Sequence, residues 1–468
     1  MDQMGGLESG RRPWSRLRTR AWLGVVAFLP VACRTVAEYD PPPLSAAKPS
    51  VLAPRATESF PVESHPLTLP EAIEEALTRG PALRAAAEVV AQARADLTTA
   101  SLFPNPQLTG GTTLQKLRGH FTPENPGGPP QYSIDLAQPL DAILFGKRTA
   151  AIESARRALD VAGADFADAQ RQRRADVAAA FFDVLETRAT LGLVRADLDA
   201  LHRVEALTRR RLELGGAPPI DVDRARLAVA SAAQDLRNAE LAEVGALATL
   251  RGLLGRAAAE PGFGIAGTLE VGAPASPPDI EAVAGVAEDQ RPDVVSLKRQ
   301  VARWEAEARL QRRQGLPTLQ AQLGYIYQRQ EPVGAPNQSE WEAAVSMSVP
   351  LFDRNQGNIA KVKSQARQAR YALEATRAAL RAELEQAVAA FRAASGAVRA
   401  DDPDQLDAAR SVRERMEAAY QAGGRTILEL LDAERAWRDA QRLHVRVQSA
   451  YWHALHRLNA AAGVPVLQ

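Results

Sequence analysis

"QYSIDLAQPLDAILFGKRTA" (131–150) and "EAAVSMSVPLFDRNQGNIAK" (342–361) stand 211 residues apart and carry one pattern twice. In the first, Tyr132, Ile134 and Leu136 alternate with Ser133, Asp135 and Ala137, the period-2 rhythm of a strand with two unlike faces. The second, with Trp341 just ahead of it, alternates through Trp341, Ala343, Val345, Met347 and Val349. Each run then meets Pro-Leu, where proline withdraws a backbone donor and stops the strand. A glycine follows, Gly146 or Gly357, and behind it a long stretch of helical character.

Working outward, the spacing holds. Pro81 and Pro292, Pro139 and Pro350, and Gly146 and Gly357 are each 211 apart, while Gly215 and Gly423, and Gly255 and Gly463, are each 208 apart. Near-constant offsets of this kind mark a tandem duplication. The reading is a first repeat over 67–270 and a second over 271–468, divided at the Pro/Gly-rich "EVGAPASPPD" (270–279). In the first repeat, Leu69 to Ser101 follows helical spacing until Pro104 and Pro106 end it. Two strands per repeat are expected, at about 107–117 and 131–139 and at about 318–329 and 341–350. Loops rich in Gly and Pro join them (118–131 and 330–340).

From Phe145 to Leu214 there is no proline, and 70 residues of helix extend roughly 105 Å. Leu191, Val194, Leu198 and Leu201 recur at three and four, as a packed seam requires. The counterpart from Asn358 to Ala422 has a predicted break at "RADDPDQ" (399–405). Much of the 46% hydrophobic content is alanine, which suits closely packed helices better than a large globular core. A formal charge of +1 carries no basic excess for nucleic acid.

The amino terminus reads as an export signal (1–32), with Arg11, Arg12, Arg16, Arg18 and Arg20 ahead of the apolar "AWLGVVAFLPVA". Cys33, the single cysteine, ends "FLPVAC", which resembles a bacterial lipobox with Pro30 where leucine is usual; lipidation at Cys33 is the expectation, with a signal cleaved elsewhere as the alternative. Residues 33–66 are then a proline-rich tether.

No apolar run of 18 residues occurs outside the signal, so a membrane crossing falls to the strands. Hydrocarbon admits only helices and closed barrels, and four strands are too few to close. Three copies sharing one barrel supply twelve. The alternative is a periplasmic coiled-coil adaptor or structural spacer whose strands form a small soluble sheet.

The order of these elements resembles the TolC family of outer-membrane efflux factors across nearly all of the mature chain. It rests on "LTLPEAIEEALTRGPALRAAAEVVAQARADLTTASLFPNP", "RPDVVSLKRQVARWEAEARLQRRQGLP", "VPLFDRNQGNI", and the paired turns "LGGAPPIDVDRAR" and "YQAGGRTILELLDAER". The resemblance implies a mainly α fold with a transmembrane β part. It implies a homotrimer with a twelve-stranded barrel in the outer membrane and long coiled-coil helices forming a periplasmic α-barrel. It also implies a passive exit duct, not an enzyme and without a cofactor, docked on a periplasmic adaptor and an inner-membrane pump of the resistance-nodulation-division type. "VPLFDRNQGNIAK" is most similar to the cation and heavy-metal efflux branch.

Carried over residue by residue, Asp221, Tyr420, Arg425, Glu429 and Asp432 fall where TolC-like channels narrow the periplasmic opening and tether it, with Glu429 standing where aspartate is often found. Glu429 and Asp432 are three apart and share a helix face, so threefold symmetry sets six carboxylates around the opening. The plain alternative is two acids in a first helical turn, favoured by the dipole. Arg209, Arg210, Arg211 and Leu212, near the first turn, are candidates for docking the adaptor. Other chemistry is scarce: there is no phosphate loop, nucleophile elbow or zinc-protease motif. Of His65, His120, His202, His444, His453 and His456, only the last two sit at i, i+3, and surface or packing roles are expected over metal binding.

Overall fold

A computed structural model of the chain describes residues 66–113, 130–257, 262–331, 334–401 and 403–467. The export signal, Cys33, the tether up to residue 65, the end of the first strand beyond Thr113 and most of the loop at 118–131 lie outside the described residues.

The same element order runs twice. The first half has α1 (Leu69–Arg79), α2 (Pro81–Ser101), β1 (Gln107–Thr112), β2 (Gln131–Pro139), a short α3 (Asp141–Leu144), α4 (Lys147–Glu213) and α5 (Pro219–Leu254). The second has α6 (Ile280–Gln290), α7 (Pro292–Gln314), β3 (Thr318–Gln328), β4 (Gln338–Ser348), α8 (Gln356–Ala400), α9 (Pro403–Gln421) and α10 (Ile427–Ala462). The uninterrupted helix expected over 69–101 is two helices, because Pro81 cannot donate and Gly80 turns the chain away at ψ 116. β4 ends at Ser348, two residues before the expected boundary, where Pro350 closes the run.

α4 is one helix of 67 residues, its ends within two residues of the prediction. Its counterpart is broken where "RADDPDQ" stands. Asp401 caps α8 and Pro403 opens α9. The break is tied down: the Asp401 carboxylate meets His444 Nδ1 at 2.6 Å and accepts from Gln448 Nε2 at 3.2 Å. Gln448 in turn accepts from the Val271 N–H, and Tyr451 Oη from the Ala275 N–H, so the segment between the halves straps across the break.

The two halves also match in close approaches. Gly255 and Gly463 cap α5 and α10 at φ 74° and 78°. A Cβ on Gly255 would press on the Arg79 carbonyl, and one on Gly463 on Arg291 Cα, each just before a helix-opening proline. The strand-to-helix turns match less closely. Gly146 is left-handed (φ 64°), but its counterpart is Asn355 (φ 62°), whereas Gly357, its partner by spacing, lies inside α8. Asparagine tolerates this region, and Asn355 Nδ2 donates to the Gln311 carbonyl at 2.8 Å.

The strands form one antiparallel sheet in the order β1-β2-β3-β4. The register collects the apolar residues on one face: Leu108, Leu136, Leu323 and Ala343 make one row, and Gly110, Ile134, Tyr325 and Trp341 the next. That face is bare in the single chain; Leu108, Trp341 and Val345 are 70%, 71% and 71% exposed. The opposite face carries Ser133, Asp135, Gln322, Glu340 and Glu342, and among the described strand residues there is no Lys or Arg. Lys147 joins the strand-to-helix junction of the first half to the helix-to-strand junction of the second, paired with Asp141 at 2.8 Å and donating to the Pro317 carbonyl at 3.0 Å.

Helix packing supplies the core. One cluster centres on Phe391, Leu384 and Leu458 among α6, α7, α8 and α10; another on Phe181, Val184 and Leu250 among α1, α4 and α5. Trp452 touches both, stacked on Phe182 with centroids 5.1 Å apart. No described helix is long and apolar enough to cross a membrane.

Candidate functional site: the paired helical turns

The α4–α5 and α9–α10 turns are built alike. Gly215 (φ 75°) and Gly423 (φ 81°) end their helices in the left-handed region. Gly216 N–H then reaches the Arg211 carbonyl at 2.7 Å, and Gly424 N–H the Ala419 carbonyl at 2.9 Å. These six-to-one bonds, with a left-handed residue between, satisfy carbonyls that a helix end leaves open. The glycines are therefore helix stops.

The two turns are fastened to each other. Tyr420 on α9 is 1% exposed, packed with Val204 of α4 and Ile427 and Leu430 of α10. Its hydroxyl donates to Thr208 Oγ1 at 3.0 Å, and that hydroxyl donates to the Val204 carbonyl at 2.7 Å. Arg211 completes the link. One guanidinium nitrogen donates to the Tyr420 carbonyl at 2.7 Å and another to the Gly216 carbonyl at 3.0 Å, with the group 4.3 Å over the Tyr420 ring. One side chain thus bonds to both turns.

Of the expected gate residues, Tyr420 is buried inside the chain and acts as a tether. Glu429 belongs to a capping box: it accepts from the Thr426 N–H at 2.8 Å and the Thr426 hydroxyl at 3.0 Å, and pairs with Arg425 at 2.7 Å. The Thr426 N–H and then Arg425 hold its carboxyl below the usual range. Asp432 lies on the surface, its side chain 79% exposed and paired with Arg435 at 3.6 Å. Asp221 pairs with Arg224 at 3.3 Å on the first turn of α5. Of the docking candidates, Arg209 and Arg210 are exposed and paired with Glu205 and Glu213, and Leu212 is half-buried. Arg211 instead turns inward.

Sequence reasoning missed Thr208 and the inward role of Arg211. The available signal was spacing by seven: Asp197, Val204 and Arg211 on α4 face Arg413 and Tyr420 on α9 and Ile427 and Glu434 on α10.

His453 and His456 do not converge. His453 meets Asp183 at 3.2 Å, which holds its pKa above the ordinary imidazole value, while burial against Phe182 pushes His456 down to about 4. Among the described residues no three His, Cys, Asp or Glu side chains gather as a metal-ligating group.

The sequence model of the family described as "Outer membrane efflux protein" matches residues 72–256 and 283–464, one stretch in each half. The chain is 27% identical over 406 residues to the cobalt-zinc-cadmium resistance protein CzcC of Cupriavidus metallidurans, covering 86% of this chain and 92% of that one. It is 28% identical over 409 residues to the protein CyaE of Bordetella pertussis, covering 85% and 84%. Among solved structures, the fold matches that of CusC with a TM-score of 0.69 at 20% identity, over 87% of this chain and 93% of that one.

Proposed function

This chain belongs to the outer membrane efflux protein family, and from that premise we propose that it is the exit duct of a tripartite pump. It works as a homotrimer that joins a periplasmic adaptor to the outside of the cell. The observation that carries the reading is the open sheet. Its register sets a mostly apolar face, with Thr112, Gln138 and Ser339 toward its ends, against a more polar face that carries Ser133, Asp135, Gln322, Glu340 and Glu342, and among the described residues it leaves β1 and β4 with unpaired edges. Such a sheet is stable in hydrocarbon only when closed. Three copies joined β4 to β1 make twelve strands, apolar outside and acid-lined inside. A soluble spacer would leave Leu108, Trp341 and Val345 in water without purpose.

The paired turns are the gated periplasmic end in this reading. Arg211, Tyr420 and Thr208 hold the two hairpins of a copy together, and Asp432, with Glu429 behind Arg425, presents acid around the opening. Arg209 and Arg210 remain available to the adaptor, and the pump is of the resistance-nodulation-division type. Export of metal cations is the cargo supported by the likeness to the cobalt-zinc-cadmium resistance protein and by a polar strand face that, among the described residues, carries acids and no bases. The Cys33 lipid anchor and the division at 270–279 belong to the same proposal.

The test is membrane fractionation followed by electrophoresis without boiling and conductance in planar bilayers. A heat-sensitive trimer in the outer membrane that conducts ions supports the duct; a soluble monomer defeats it. Loss of zinc or cobalt tolerance on deletion of the gene, restored by this chain, tests the cargo.

A further inference from the structure

One heptad behind the tip's apolar layer, the same seam carries charge. Asp197, Arg413 and Glu434 stand seven residues from Val204, Tyr420 and Ile427 on α4, α9 and α10, roughly 10 Å along the helices. The layer is unevenly paired. Asp197, 9% exposed, accepts from Arg438 at 3.2 Å. Glu434, 4% exposed, has Arg413 at 4.0 Å, and Arg413 is also 3.7 Å from Glu414 at the surface. Among the described residues, the Nε atoms of Arg413 and Arg438 are buried without a hydrogen-bond partner.

A buried ionic network that is only partly satisfied disfavours the packing that encloses it. Glu434 faces Asp197 and Arg203 from α4, Arg413 and Glu417 from α9, and Arg438 one turn along α10. Burial pushes its carboxyl above the usual range; Arg413 opposes this, while Glu417 and Asp197 add to it. Its neighbours thus include two acids, and its one ion-pair partner among the described residues stands at the limit of contact.

We propose that the Asp197–Arg413–Glu434 layer is a proton-responsive element that sets how firmly the tip is held. With Glu434 protonated, α9 and α10 close on α4, and the Arg211–Tyr420 link one layer below is stabilised. With Glu434 ionised, the layer favours a looser packing that lets water and Arg413 reach the carboxylate, and the link weakens. Acid therefore locks the tip, and a rise in pH primes it to open.

The inference rests on the duct reading, and two readouts separate them. In planar bilayers titrated from about pH 5 to about 8, the full-length protein shows conductance rising with pH, and Glu434→Gln stays low throughout. Arg413→Gln removes the cation and moves the midpoint of the rise to higher pH. Wild-type conductance that does not change with pH, or a Glu434→Gln protein that follows the wild-type rise, overturns the proposal; so does an unshifted midpoint in Arg413→Gln. If nothing conducts at any pH, the duct reading fails, and amide exchange of residues 420–430 decides the layer alone. Protection that falls as pH rises in the wild type, beyond the intrinsic exchange rate, and holds in Glu434→Gln supports the element. Equal pH dependence in both refutes it.

Discussion

Replacing Arg211 with alanine tests the tip most directly. The change removes a charge-assisted bond to the part-buried Tyr420 carbonyl, about 1.5 kcal/mol, and a more exposed one to the Gly216 carbonyl, about 0.5 kcal/mol. It also removes the cation stacked 4.3 Å over the Tyr420 ring, about 0.5–1 kcal/mol. These groups act together and are partly solvated, so roughly 2–3 kcal/mol per copy is an upper figure. At about 1.4 kcal/mol per factor of ten, the balance between joined and separated hairpins shifts by about 30- to 140-fold. Single-channel recording reads this as the fraction of time spent in the widest conductance state. Arg211→Lys keeps the charge without the planar fork and should fall between the two. If Arg211→Ala forms the same trimer and its open fraction equals that of the parent, the link does not hold the tip.

Other outcomes follow from the same geometry. Val345→Arg places a charge on the apolar sheet face opposite Ala321, costing about 2–4 kcal/mol per copy if it sits at mid-membrane, and should block folding into vesicles. Equal insertion yields would show that this face does not meet lipid. Glu429→Ala with Asp432→Ala should lower cation selectivity in bilayers; unchanged conductance and selectivity would remove both acids from the gate. Thr426→Ala alone, which breaks the capping box, should cost about 0.5–2 kcal/mol in chemical denaturation, and no loss would show the cap to be idle. His456, neutral in the fold because burial lowers its pKa to about 4, gains a proton on unfolding below its ordinary 6.5. Stability should therefore fall as pH drops from 6.5 toward 4, by up to roughly 3 kcal/mol. His456→Phe should remove that slope while keeping the stack on Phe182.

The long elements were legible because their signals are local and repeated. Pro139 and Pro350 stop strands, period-2 alternation sets the faces of β2 and β4, and the proline-free run before Leu214 makes α4. The break at Asp401 was visible from Pro403. What escaped depends on contacts distant in sequence. Gly357 keeps the spacing of Gly146, yet Asn355 takes the left-handed turn, because it can bond Gln311 on a helix 44 residues away. Arg211 reads as one of three surface arginines until α9 brings Tyr420 beneath it. Glu434 looks like another solvated acid of an amphipathic helix, and only the convergence of α4, α9 and α10 buries it.

The difference between α4 and the α8–α9 pair has a mechanical consequence. One hairpin hangs from an unbroken strut of 67 residues, the other from a knee at Asp401, braced by His444, Gln448 and the strap at 271–275. In a threefold assembly the rim would present six teeth of nearly equal shape but unequal compliance, stiff and jointed in alternation. A partner gripping all six would meet a sixfold outline and a threefold response, so uniform pressure on the ring would come out as a twist, with each jointed tooth swinging past a fixed neighbour.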